Sequence, residues 1–123
     1  MNVSKRSSKY DWECLSILAN GISTDNPQIT ERKIKSRLRR NRLGDYDQTR
    51  IEMLRLLESE ARREFTMPPQ ESKYYQGCKS GWADFADYDL PRLECDLAAR
   101  FPDVSQDNIS GIVQLSVFLH HIR

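Results

Sequence analysis

Between Arg32 and Arg42 the chain reads Arg-Lys-Ile-Lys-Ser-Arg-Leu-Arg-Arg-Asn-Arg, seven cations in eleven residues with no acid among them. Cations at that density do one kind of chemistry well. Ranged along one edge, they displace the counterions condensed on a phosphate backbone. Arg32, Lys33, Lys35, Arg37, Arg39, Arg40 and Arg42 are therefore the candidate contacts to nucleic acid or to another anionic partner. Gln48, Thr49 and Arg50 follow shortly after, and their side chains suit base edges: Arg for guanine, Gln for adenine, Thr for either.

Together the two groups suggest a helix-turn-helix, with the basic run on the first helix and Gln48 onward on the second, whose N-terminal residues would enter the major groove. Two features depart from that motif. The connection from Arg42 to Asp47 is longer than the usual three- or four-residue turn. Asp45 and Asp47, beside the reading residues, would repel phosphate.

Other chemistry is sparse. His120 and His121 are the only histidines and stand at the C-terminal end, on the pattern of a core or terminal helix rather than a catalytic site. No P-loop, nucleophile elbow or HExxH pattern occurs. Asp84, Asp87 and Asp89 lack the spacing and the glycine of a calcium loop. Cys14, Cys78 and Cys95 are widely spaced with no CxxC pair, which argues against a zinc site or a disulfide framework. Free thiols fit a reducing compartment, hence the cytoplasm. The expectation is a protein that acts by binding, with no catalytic residues, no metal and no cofactor.

The elements that must position these residues come from hydrophobic periodicity. A 123-residue chain with 38% hydrophobic and 30% charged residues is expected to form one globular domain. No apolar run reaches the roughly 20 residues that span a bilayer, and the polar N-terminus lacks the apolar segment of a signal peptide. Residues 1–8 read as a flexible tail.

A first helix is expected from Ser8 to Asn20, with Trp12, Leu15, Leu18 and Ala19 at helical spacing. Asp11 three residues after Ser8 resembles a capping box, and Gly21 suits the stop. The second helix is expected to start near Thr30 as N-cap, with Ile29 and Ile34 forming a hydrophobic staple and Gly44 as its end. Ile34 and Leu38 give it one narrow apolar stripe, so most of its circumference is basic.

The third helix is expected from about Asp47 to Phe65 on the stripe Ile51, Leu54, Leu57, Ala61 and Phe65. Met53 and Leu56 lie off that stripe and make a candidate apolar patch for a partner. Residues 66–81 read as a long aromatic, Pro- and Gly-rich loop. Leu90-Pro91 opens a fourth helix ending at Pro102. Ser105 caps a fifth, which runs to Ile122 with eight large apolar residues among the fourteen from Ile109. No alternating run suggests a sheet. The fold class is thus all-α, a small bundle of about five helices around the hydrophobic C-terminal helix.

Charge is divided unevenly between the halves. Residues 1–65 carry 14 basic and 10 acidic side chains, and residues 66–123 carry 5 and 8. The functional expectation is a regulatory or adaptor protein that binds nucleic acid, or a nucleic-acid-handling complex, through the basic helix. The alternative is a pure protein–protein module, as inhibitor, adaptor or assembly factor. One version is a homodimer in which the basic helix of one copy meets the acidic 84–96 segment of the other.

Overall fold

A computed structural model describes residues 8–20, 26–77 and 87–120, with the side chain of His120 excepted. Five α-helices carry the fold: α1 (Ser8–Asn20), α2 (Pro27–Arg40), α3 (Gln48–Thr66), α4 (Leu90–Arg100) and α5 (Gln106–His120), with a 3₁₀ turn at Pro69–Glu71. Among the described residues there is no β-strand, only an isolated bridge between Tyr75 and Tyr88. The all-α bundle read from the sequence is what forms. No described helix is long and apolar enough to cross a membrane. The 1–7 tail, Gly21, Trp82, Asp84, His121 and Ile122 lie outside the described residues.

α5 is the hub. Ile109, Ile112, Val113 and Val117 are fully buried, and the helix packs against α1, α3 and α4. The approach to α1 is close because Gly111 has no side chain. A Cβ there would lie 2.8 Å from Trp12 Cζ3, so the indole lies across α5 where any other residue would push it away. Phe118, on the far side of α5, is 63% exposed.

α3 buries its expected stripe of Ile51, Leu54, Leu57, Ala61 and Phe65. The aromatic residues after it close the same core from above, an arrangement in which large rings contribute mostly by the area they bury. Tyr88 meets Phe65 edge-on at 4.9 Å and Tyr75 at 5.4 Å. Tyr74 is buried and its hydroxyl donates to Asp96 at 2.6 Å. Backbone hydrogen bonds from Gln76 to Asp87 and from Asp89 to Tyr74, each 2.7 Å, pin the two ends of this connection together.

α2 starts and stops at other residues than the sequence suggested. Its N-cap is Asn26, whose side chain accepts from the backbone N–H of Gln28 (3.0 Å) and Ile29 (3.3 Å). Pro27 takes the first helical position, where a missing N–H costs nothing. Thr30 is therefore inside the helix, buried, its hydroxyl donating back to Asn26 O at 3.3 Å. Ile29 is 38% exposed and forms no staple.

At the other end the helix stops before Gly44. Arg42 takes a left-handed φ of 54°, its N–H bonds Arg39 O (3.2 Å), and the Leu43 N–H bonds Leu38 O (3.0 Å). This is a Schellman motif with arginine in the place that glycine usually holds.

Candidate functional site

α2 turns Thr30, Ile34 and Leu38 inward and packs on α1, while its contact with α3 is slight. At 100° per residue the opposite arc belongs to Arg32, Ser36, Arg39 and Arg40, with Lys33 and Lys35 at its edges. Arg32, Lys33, Lys35, Arg39, Arg40 and Arg42 are exposed and Arg37 is half-buried.

Among the described residues, two of the seven cations have carboxylate partners. Lys35 pairs with Glu31 at 3.0 Å, one turn back, and its ammonium also lies 5.2 Å from the Tyr46 ring centre. Arg37 pairs with Glu13 of α1 at 2.7 Å, which ties the middle of the basic helix to the bundle. Arg40 donates to the hydroxyl of Ser36, at 3.5 Å. Among the described residues no carboxylate pairs with Arg32, Lys33, Arg39, Arg40 or Arg42. Between α1 and α2, Arg32, Lys33, Arg37 and Arg40 rim a shallow groove of about 440 Å³ whose apolar lining is Ile17 and Ile29.

In the acidic 84–96 stretch, Asp89, Glu94 and Asp96 have partners around α4 and not on this face. Asp89 caps α4, accepting from the Arg92 N–H at 3.3 Å. Glu94 accepts from the Ser110 hydroxyl at 2.6 Å, and Asp96 accepts from Tyr74. These carboxylates hold α4 against its neighbours.

The residues expected to read bases are separated by the fold. Gln48 and Thr49 are exposed at the start of α3, with Gln48 Nε2 donating to Glu52 at 2.9 Å. Arg50, expected beside them, points the other way. Its Nε donates to Asp11 Oδ1 at 3.0 Å, and one terminal nitrogen donates to Asp11 Oδ2 at 2.5 Å and to Asp103 O at 2.8 Å. Burial alone would lower the guanidinium pKa. The hydrogen bond and charge of Asp11, then Asp103 and Asp47, outweigh burial and hold it above its usual value. Arg50 thus clamps α1, α3 and the α4–α5 connection together through Asp11 and Asp103.

Sequence reasoning missed this pair, although a signal was present. Asp11 shares helical spacing with Cys14, Leu15 and Leu18, and Arg50 with Leu54, Leu57 and Ala61. A carboxylate on one apolar stripe and a guanidinium on another, each too costly to bury alone, imply each other. Cys14, beside them, is a small buried hydrophobe. Burial, then Asp11 and Glu13, push its thiol up to about 12, so no thiolate forms there at neutral pH.

The candidate apolar patch is also divided. Met53 is half-buried and packs against the core, which leaves Leu56, 50% exposed. No three ligating side chains gather into a metal site among the described residues. No family model matches the chain, and no curated protein or solved structure is detectably similar to it.

Proposed function

We propose that this is a non-enzymatic, cytoplasmic regulatory or adaptor protein that binds nucleic acid, or a nucleic-acid-handling complex, through the basic face of α2. The observation that carries the reading is the set of exposed cations (Arg32, Lys33, Arg39, Arg40 and Arg42) without carboxylate partners among the described residues. Such a face contacts phosphates and releases counterions without regard to sequence.

The burial of Arg50 and the packing of α2 on α1 rather than α3 speak against base-specific reading by a helix-turn-helix. Backbone contact is therefore the mode proposed. Gln48 and Thr49 remain at its margin.

The test is fluorescence anisotropy of labelled double-stranded DNA, single-stranded DNA and RNA at two salt concentrations. Binding should weaken steeply with salt. Replacing Arg39, Arg40 and Arg42 together by Ala should lower the slope of log affinity on log salt by about 2–3 on duplex DNA. Binding that is unaltered by the triple change removes this face from the function.

A protein partner is the second reading, and the exposure of Phe118 on α5 favours it, since a ring that large is seldom left in water. Phe118→Glu should then abolish association while the fold persists, read by size exclusion with the partner complex or the homodimer.

A further inference from the structure

Ile29, Arg32, Lys33, Ser36, Arg37 and Arg40 recur at intervals of three and four and so share one face of α2, beside α1. With Ile17 of α1 they line the groove of about 440 Å³, and no acidic side chain takes part in that lining. A smaller hollow of about 260 Å³ adjoins it toward Ser16 and Asn20 and shares Ile17, Lys33 and Arg37 with it. The charged groups of the groove are within reach of a ligand. Arg32, Lys33 and Arg40 are exposed and pair with no carboxylate among the described residues. Ile29, 38% exposed, sets an apolar surface between them.

We propose that the groove receives an unstacked base of single-stranded nucleic acid, its ring on Ile29 and its flanking phosphates on Arg32, Lys33 and Arg40. This rests on the nucleic-acid reading and adds to it the strand state that the face selects. A rim of cations alone suits any polyphosphate. The isoleucines add a requirement, that the ligand bring an apolar face between its negative charges. A duplex keeps its bases stacked inside and offers such a groove only sugar and phosphate, whereas a single strand can turn its bases out. Three of the four cations in the lining are arginines, whose flat guanidinium groups both pair with phosphate and lie on a base. An acidic peptide would meet the same cations, but its carboxylates come without a flat ring beside each one. Base contact of this kind tolerates any sequence, because every base has such a face.

The experiment is fluorescence anisotropy of the full chain with three labelled probes of about 12 nucleotides: oligo-dT, an abasic strand with the same phosphates, and a duplex. Oligo-dT should bind at least about threefold more tightly than either of the others. Ile29→Ser, which keeps every charge, should weaken oligo-dT by about threefold and leave its salt slope and the duplex affinity unchanged. Ile29→Tyr should strengthen oligo-dT by about as much, since an aromatic ring stacks on a base better than an aliphatic chain. No binding by any probe removes the nucleic-acid reading and this inference with it. Binding in which the abasic strand or the duplex matches oligo-dT, or in which neither Ile29 variant moves the single-strand affinity, overturns this inference alone and leaves phosphate contact by α2 standing. Polyglutamate that competes as well as unlabelled oligo-dT of the same charge overturns it in favour of an acidic protein segment.

Discussion

α2 and the first turn of α3 are both served by arginine, and seven residues of chain separate them. They use it in opposite ways. On α2 the guanidinium groups of Arg32, Arg39 and Arg40 lie off the Thr30–Ile34–Leu38 stripe and stand in water. On α3, Arg50 lies on the buried stripe and is enclosed with Asp11. The residue type is the same, and the helical angle decides the role. An arginine on the outer arc adds charge that a partner can use and contributes little to stability. An arginine on the inner arc must find a carboxylate and a carbonyl, and then holds three elements in register.

This contrast can be broken by experiment. Arg50→Ala should cost about 3–5 kcal/mol in urea unfolding, because it leaves the Asp11 carboxylate buried and unpaired. The nucleic-acid affinity of the folded fraction should not change. A variant of unaltered stability with weakened binding would put Arg50 back among the contact residues.

Glu58 sharpens the contrast, since it is a buried charge without the geometry of Arg50. Its folded pKa is raised above the ordinary 4.5. Its contribution to stability is thus fully present below that value and is lost as pH rises through the folded pKa. Glu58→Met should gain about 1 kcal/mol at neutral pH. The gain should shrink as the solution is acidified toward the unfolded carboxyl range, as thermal melts across pH would record.

Arg42 shows the smallest effect and the opposite sign from Arg50. Glycine removes the left-handed strain, so Arg42→Gly should raise stability by about 0.5–1 kcal/mol. It should also lower the salt slope of duplex binding by about 1. Gain in one measurement and loss in the other would identify a position held for charge at the expense of fold.

Much of the fold is legible in the sequence because it follows from periodicity. The stripes of α3 and α5 bury as their spacing requires, and the aromatic residues 74 and 75 join the core. The ends of α2 are less legible. Asn26-Pro27 reads equally as the end of a loop and as an N-cap with its first helical residue. Thr30 has the chemistry of a cap without the position. Gly44 has the freedom for a helix stop, but Leu43 must fold back to Leu38 to bury its side chain, and that forces the turn two residues earlier, at Arg42. The basic face could be read directly, because solvated charge follows from one helix alone. The clamp at Arg50 could not, because it depends on how three separate elements meet.

Tyr10 extends that last point to the dynamics of the chain. Its fully buried hydroxyl donates to Asp45 O at 2.8 Å and accepts from the Asp47 N–H at 3.1 Å. The α2–α3 connection is irregular, yet part of it is fastened to the interior of α1. In hydrogen exchange the Asp47 amide should therefore behave as a core amide, opening only when α1 lifts away from α3. Tyr10→Phe should release that amide to fast local exchange while the helices keep their protection. The α2–α3 connection would then open on its own, while Ile34, Leu38 and the Arg37–Glu13 pair keep the basic helix seated on α1.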